Sequence, residues 1–363
     1  MDTQHDYLVF IGRFEPFHNG HMAVARRALQ LGKKLIVLIG SAHKPRSIKN
    51  PWIAEERSVM IRTALAEHQD RLIIGQLRDH LYNEDQWIAD VQRAVREAVV
   101  DFDGRMSFDK QSIRMIGQNK DESSYYLQMF PQWPAIDVSH TAVQSATDLR
   151  NYLFDAGRVE THGGMNMIRA NVPRPVFEMI DAFRHSSPDF NQLVREHKFI
   201  KDYKSGWDTA PYAPTFTTTD AVVTYSGHVL LVRRRAEPGK GLWALPGGFV
   251  NPKESIYDSC IRELREETRL RIPASILKGS LKAKEVFDHP DRSLRGRTIT
   301  HAFHFHFAAG ELPPVKGGDD ADKARWVPIS EVLEMGPRLY EDHLDIIEFF
   351  LGQTASQRQS LID

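Results

Sequence analysis

One cysteine in 363 residues is the sharpest shortage in this sequence. A lone Cys260 cannot close an intrachain disulfide or build a multi-cysteine zinc site, so a reducing compartment fits. An excess of charge of one sign is also lacking. The 47 Lys+Arg and 48 Asp+Glu leave a net charge of −1, which disfavours a general binder of nucleic acid or membrane surfaces. No apolar run reaches the roughly 18 residues of a membrane span. The opening stretch MDTQHDYLVFIGRF carries acidic residues and no long apolar core, so no signal peptide is expected. Internal repeats and low-complexity tracts are missing. These absences lead us to expect a cytoplasmic protein with neither nucleic-acid nor membrane partners. What is present is ordinary: 41% hydrophobic and 10% aromatic residues exclude disorder as the main state. The length suggests two domains.

Residues 7–11 (YLVFI) and 35–39 (LIVLI) read as strands apolar on both faces, with a helical pattern over about 21–31 between them. That order predicts a parallel sheet covered by helices. It continues with a helix over 53–67, a strand over 71–75, a helix over 85–99 and a strand over 112–117. We expect an α/β domain over 1–183, a linker over 184–213 with a helix near 192–203, a second α/β domain over 214–352 and a frayed tail over 353–363. The second domain is β-rich. Strands are expected at 220–225, 229–233, 243–245, 277–286 and 298–308, with helices over 255–269 and 344–351.

The segment Gly12–His21 reads GRFEPFHNGH and follows the first strand directly. The turn between a parallel strand and a helix N-terminus is where phosphates bind, because free N–H groups and the positive end of the helix dipole face outward. His18 and His21 beside such a turn can donate hydrogen bonds to a phosphoryl group, and nucleotidyl transfer needs mainly positioning and charge stabilisation. A bare H-x-x-H is more often a tight turn with two exposed histidines; its place after a strand, behind Gly12-Arg13, reverses that. The segment resembles the G-x-F-x-P-x-H-x-G-H signature of the HIGH-type nucleotidylyltransferases. Ser145-Ala146-Thr147-Asp148-Leu149-Arg150 matches their second element, S-x-T-x-x-R at a helix start. Gly40–Arg57, Leu81–Trp87 and Gly117–Trp133 further resemble nicotinamide-nucleotide adenylyltransferases of the archaeal-like type.

The resemblance implies a Rossmann-like domain that joins nicotinamide mononucleotide to ATP, giving NAD and pyrophosphate. It implies His18 and His21 as catalytic, with Gly12, Arg13, Phe14, Ser145, Thr147, Arg150 and Lys120 at the ATP phosphates. Trp87 would stack on the nicotinamide, and Asn83 and Asp121 would lie near the mononucleotide. Trp87 reads equally well as core, since it falls on a helical pattern with Ile88 and Val91. Asn50, Arg57 and Lys120 read equally as surface or capping residues. Transfer of an adenylyl or cytidylyl group to another phosphate acceptor is the rival activity.

The second constellation is GFVNPKESIYDSCIRELREETRL, Gly248–Leu270. Glu263, Glu266 and Glu267 at i, i+3 and i+4 share one helix face. Alone, such a trio is usually a solvated acidic face. As hard oxygen donors the three suit Mg2+ or Mn2+ in place of Zn2+. The surrounding Gly248, Glu254, Arg262, Glu263, Leu264, Glu266, Glu267 and Leu270 resemble the Nudix box, G-x5-E-x7-R-E-U-x-E-E-x-G-U. Arg269 departs from it by replacing the last Gly, which would close the helix in a left-handed turn.

The Nudix resemblance implies hydrolysis of a nucleoside diphosphate linked to another moiety. Glu263, Glu266, Glu267 and the Gly247 carbonyl would be the metal ligands, while Glu254 and Arg262 would brace the loop. Val286–Thr300 and Lys316–Val327 resemble the ADP-ribose branch, implying Asp288, Arg292, Arg295 and Arg297 as substrate contacts and Asp319 or Asp320 as the base. Polar surface loops account for both stretches as well. The rivals are another nucleoside diphosphate derivative, or a module that binds ADP-ribose without cleaving it.

Gly239–Ala244 fits G-x-G-x-x-A but precedes a strand, so it is set aside as a dinucleotide fingerprint. His304 and His306 in HAFHFHF share a strand face; alternation explains them, with Phe303, Phe305 and Phe307 directed to the core. Cys260 reads as a small buried hydrophobe, and Trp243 and Trp326 as core aromatics. Together the two resemblances imply a bifunctional fusion in NAD metabolism acting on ATP, nicotinamide mononucleotide and ADP-ribose. An oligomer is compatible with this reading.

Overall fold

A computed structural model of the chain describes residues 5–103, 108–118, 122–138, 144–156 and 162–352. It divides into two compact units, Met1–Val194 and Arg195–Asp363.

The first unit opens with β1 (His5–Gly12), α1 (Asn19–Leu31), β2 (Gly32–Ile39), α2 (Ala54–Ala64), β3 (Leu72–Gln76), α3 (Glu84–Asp103), β4 (Ile113–Gly117) and β5 (Ala135–Asp137). Helices α4 (Ala146–Ala156), α5 (His162–Asn171), α6 (Arg174–Ser186) and α7 (Pro188–Ser205) follow. The strands form one parallel sheet in the order β3-β2-β1-β4-β5. Alternate strand residues enter opposite cores. Leu8, Phe10, Leu35 and Val37 pack with α1, α2 and α4–α6 residues, while Tyr7, Val9, Ile36 and Leu38 pack with Val91, Val95 and Val99 of α3. Burial on both faces is why β1 and β2 read as continuous apolar runs. The chain leaves β1 toward β2 and β3, then returns to place β4 on the other side of β1. The sheet therefore changes direction beside β1, and the crevice at the carboxyl end of β1 is the usual ligand position in such a fold.

Helix α7 is longer than the expected helix near 192–203. Pro188 stands at its first position, where a missing N–H costs nothing, and Ser187 Oγ accepts from Asp189 N at 3.3 Å. Phe190 and Leu193 of α7 belong to the first unit's core.

The second unit holds β6 (Phe216–Tyr225), β7 (His228–Arg234), β8 (Trp243–Ala244), β9 (Gly247–Phe249), α8 (Ile256–Thr268), α9 (Ala274–Gly279), β10 (Leu281–Phe287), β11 (Thr298–Phe307), β12 (Ala321–Pro328), α10 (Ile329–Val332) and α11 (His343–Leu351). Its seven-stranded mixed sheet runs β10-β11-β6-β7-β12, with β8 on β7, β9 on β6 and only β11 and β6 parallel. Helix α8 packs Cys260, Ile261 and Leu264 against Ala221, Val223, Phe303 and Phe305. Burial pushes the Cys260 thiol up to about 12, which suits a core residue and not a nucleophile.

Two expectations need correction. Residues 277–279 belong to helix α9, which begins after Pro273, so the strand starts only at Leu281. Strand β12 was not anticipated, because as an edge strand it exposes charged residues such as Lys323 and carries no apolar run. Thr224 Oγ1 lies 2.8 Å from His304 Nε2 and 2.9 Å from His306 Nδ1, so a shared hydroxyl partner accounts for that pair. Among the described residues, no helix is long and apolar enough to cross a membrane.

Candidate active sites

In the first unit the loop after β1 is shaped by one close approach. A Cβ on Gly12 would lie 2.9 Å from the Phe14 ring. Phe14 itself sits at φ 58° and is buried, edge-on to His21 at 4.9 Å and to Phe10 at 5.1 Å. Its side chain supports the His21 ring.

His18 caps α1. Its Nδ1 accepts from Gly20 N at 3.1 Å, and His21 Nδ1 accepts from His18 N at 3.3 Å. The rings stack at 3.7 Å. A nitrogen that accepts carries no proton, so each neutral imidazole holds its hydrogen on Nε2. The backbone thus selects the tautomer suited to donating to a phosphoryl oxygen.

The second motif folds around its own residues. Ser145 Oγ accepts from Asp148 N at 3.1 Å and donates to Asp148 Oδ2 at 2.7 Å, capping α4. Arg150 is buried; its Nη1 donates to Glu15 O at 2.7 Å and its Nη2 to Thr147 Oγ1 at 3.1 Å. Arg150 therefore ties α4 to the loop after β1, with Thr147 accepting from its guanidinium and Ser145 capping the helix. Arg13 remains exposed.

Trp87 is half-buried, 6.0 Å from Phe130 and 6.4 Å from Tyr126, whose hydroxyl donates to Ile11 O at 3.1 Å. That ties the Trp87 cluster to the end of β1. Asn83 Oδ1 accepts from Gln86 N at 3.0 Å at the start of α3. Lys120 and Asp121 lie outside the described residues.

Sequence reasoning missed the centre of this unit. Arg57, read as a surface or capping residue, is buried beside Glu15, with Nε 3.1 Å from its Oε1. The partners are 42 positions apart on different elements, and no short motif signals them.

In the second unit, a cavity of about 320 Å³ is lined by Gly247, Gly248, Glu263, Glu267, Arg292, Arg295, Asp319 and Asp320 among others. Asp288, Arg297 and Glu266 are not part of its lining. Asp288 accepts from Arg297 through its carbonyl and its carboxylate. Arg292, in the cavity lining, donates from Nε and Nη2 to the buried Asp342 carboxylate at 2.8 and 2.9 Å. Replacing Arg292 by Met would strand that carboxylate. We expect the second unit to lose about 3–5 kcal/mol in chemical denaturation, with the first unit's transition unmoved. Unchanged unfolding would show the pair to be dispensable. The Arg295 guanidinium lies 4.8 Å from the centre of the Phe249 ring, and its buried Nε has no hydrogen-bond partner.

Helix α8 closes at Arg269, which adopts φ 52°, ψ 27°, the left-handed conformation expected where the motif has Gly. Arg262 reaches back to Glu254 at 2.7 and 3.0 Å, as the bracing role requires, and holds the Glu254 carboxyl down at about 2. The same guanidinium also faces Glu263 at 2.7 Å and Glu266 at 3.0 Å. Glu267 is buried and accepts from Gly247 N at 3.0 Å. Burial, aided by Glu263 and Asp220, pushes its carboxyl up to about 8 against the pull of that N–H and of Arg234. A Cβ on Gly248 would fall 2.5 Å from Glu263 Oε1, so only glycine lets that carboxylate lie against the strand.

Among the described residues, no group of three His, Cys, Asp or Glu converges as a ready metal cage. The donor set nevertheless fits a hard divalent cation. It is all oxygen, two of its members line the cavity, and burial makes their negative charge costly without a nearby positive one. Arg262 supplies positive charge to Glu263 and Glu266 in this structure.

Residues 9–146 match the cytidylyltransferase-like family model and residues 215–350 the NUDIX domain model. A nicotinamide/nicotinic acid mononucleotide adenylyltransferase from Acinetobacter baylyi is 39% identical over 158 residues, 43% of this chain and 79% of the relative. An ADP-ribose pyrophosphatase from Methanocaldococcus jannaschii is 34% identical over 162 residues, 45% of this chain and 85% of the relative. The crystal structure of a bifunctional NMN adenylyltransferase/ADP ribose pyrophosphatase from Francisella tularensis, complexed with AMP and a Mn ion, superposes with a TM-score of 0.86 at 35% identity. The match covers 96% of this chain and 99% of that one. With both site-bearing units spanned by one such match, the chain belongs to the family of bifunctional NMN adenylyltransferase/ADP-ribose pyrophosphatases.

Proposed function

We propose that the chain is a two-headed enzyme of NAD metabolism. The first unit transfers AMP from ATP to nicotinamide mononucleotide, forming NAD and releasing pyrophosphate. The second hydrolyses ADP-ribose to AMP and ribose 5-phosphate. The observation that carries the reading is the pairing of a backbone-oriented His18–His21 couple at the end of β1 with the Glu263–Glu267 face on a separate cavity, in one chain that matches a bifunctional structure along nearly its full length. We assign the adenylyltransferase domain to residues 1–183 and the Nudix domain to 214–352, joined by 184–213.

In the first site, the Nε2 hydrogens of His18 and His21 donate to the phosphoryl oxygens as charge builds at the α-phosphorus, and the exposed Arg13 adds positive charge. Trp87 stacks on the nicotinamide and Asn83 lies beside it. Replacing Trp87 by Ala should raise the KM for the mononucleotide about tenfold, a stacking contact's worth, and leave that for ATP within twofold. Steady-state kinetics with each substrate varied checks this; equal effects on both would place Trp87 in the core alone.

In the second site, Glu263, Glu266 and Glu267 would hold the divalent cation, Mg2+ or Mn2+, with the Gly247 carbonyl as a further ligand. When bound, the cation supplies the charge that polarises the pyrophosphate. Arg295 binds the anionic substrate, and Asp319 or Asp320 takes the proton from the attacking water. A reducing, cytoplasmic setting suits a lone buried thiol. Small molecules are the only partners this reading requires.

A second reading, in which the Nudix unit binds ADP-ribose without cleaving it, draws on the hold of Arg262 on Glu263 and Glu266. Incubation with ADP-ribose and Mg2+, beside a chelated control, separates the two. AMP formed only with the cation supports hydrolysis, whereas bound and unchanged ADP-ribose supports the sensor.

A further inference from the structure

We propose that Glu15, which the G-x-F-x-P-x-H-x-G-H pattern leaves unspecified, is a positioning residue for adenylyl transfer. Its carboxylate orients Arg57, and Arg57 ties the ends of β1 and β2 together beneath the histidine loop. The inference rests on reading the first unit as an adenylyltransferase.

Glu15 and Arg57 are each 1% exposed. Glu15 Oε2 accepts from Trp52 N at 3.3 Å, and Oε1, which makes no hydrogen bond, lies 3.1 Å from Arg57 Nε. The main-chain oxygen of Glu15 accepts from Arg150. Arg57 Nη1 donates to Arg13 O and to Gly40 O, both at 2.7 Å, and Nη2 to Ser41 O at 3.2 Å. Arg13 follows the end of β1, while Gly40 and Ser41 follow the end of β2. One guanidinium therefore spans both strand ends, next to the direct bond from Gly40 N to Gly12 O at 2.9 Å.

Carbonyl oxygens attract a guanidinium but cannot neutralise it. A buried cation without a counter-charge is expensive, and it turns toward whatever solvates it. Glu15 supplies the counter-charge in direct contact, from within the loop itself and three residues before His18, with Asp79 and Glu55 adding to it. Burial pushes the Glu15 carboxyl up to about 8, and Arg57 pulls against that. The pair thus sets the loop's seat against the sheet, and His18 and His21 inherit their placement from it. Neither side chain needs to touch substrate to act this way. A small displacement of groups that stabilise a transition state is costly in rate while leaving ground-state binding nearly intact.

The test uses the full chain with Glu15→Gln, which keeps the shape and the acceptor for Trp52 N but removes the charge. Adenylyl transfer from ATP to nicotinamide mononucleotide is followed with kcat and KM separated, and hydrogen exchange is measured over residues 12–21. We expect kcat to fall about 10–100-fold with the KM for ATP within about threefold, and faster exchange in the loop. Arg57→Lys should give a similar loss. The double variant should be no worse than either single one, because the two act as one unit. Unchanged kcat in Glu15→Gln, a loss confined to KM, or additive losses in the double variant would overturn the proposal. A wild-type chain that forms no dinucleotide would overturn the adenylyltransferase reading and this inference with it. An active wild type with an equally active Glu15→Gln would overturn this inference alone.

Discussion

Glu267→Gln is expected to lower ADP-ribose hydrolysis by about 10²–10³-fold or more and to leave NAD synthesis at the wild-type rate. Glu267 lies on the cavity face of α8, buried, with Oε2 anchored by the Gly247 N–H. The substitution keeps the side-chain length and an oxygen for that anchor, so the fold should survive. What disappears is a carboxyl able to ionise, whose negative form the surroundings tolerate poorly: burial and the neighbouring Glu263 and Asp220 push it up to about 8. A chain that maintains such a group in a cavity gains from it only where positive charge is brought in, as when a divalent cation binds. Quantifying AMP release beside dinucleotide formation checks the prediction. Retained hydrolysis would remove Glu267 from the site, and loss of both activities would mean the variant is misfolded or the two units are coupled.

His18→Ala is expected to lower kcat for adenylyl transfer by about 10²–10³-fold, the usual effect of deleting a donor aimed at transition-state charge, and to leave ADP-ribose hydrolysis unchanged. His18 also caps α1 through Nδ1, so the variant should lose about 1 kcal/mol of stability in addition. His18→Asn separates the roles, since Asn caps well but carries no imidazole. If His18→Asn is as inactive as His18→Ala yet as stable as wild type, the imidazole serves the chemistry. If His18→Asn restores the rate, His18 is a cap and no more.

Much of this was legible in the sequence because it is local. A strand buried on both faces must be apolar throughout, so β1 and β2 announce themselves, and with them the parallel sheet and the turn at Gly12. The Glu263–Glu267 face follows from helical spacing alone, and the left-handed close at Arg269 follows from the place of the missing Gly. What could not be read is pairing across the fold. Arg57 with Glu15, Arg292 with Asp342 and Arg150 with the Glu15 carbonyl join residues separated by 42, 50 and 135 positions. In each case an arginine is held by a group far away in the sequence.

The Arg295 guanidinium rests on Phe249, and its buried Nε has no hydrogen-bond partner. Asp288 and Arg297, 9 positions apart, pair with each other.

The central claim is that one chain carries two independent chemistries. It is tested most directly by giving wild type, His18→Ala and Glu267→Gln the same two assays: nicotinamide mononucleotide with ATP, and ADP-ribose, each with Mg2+. The account predicts NAD and AMP from wild type, AMP without NAD from His18→Ala, and NAD without AMP from Glu267→Gln. Failure of wild type to form either product, or loss of both activities in either folded variant, would contradict it.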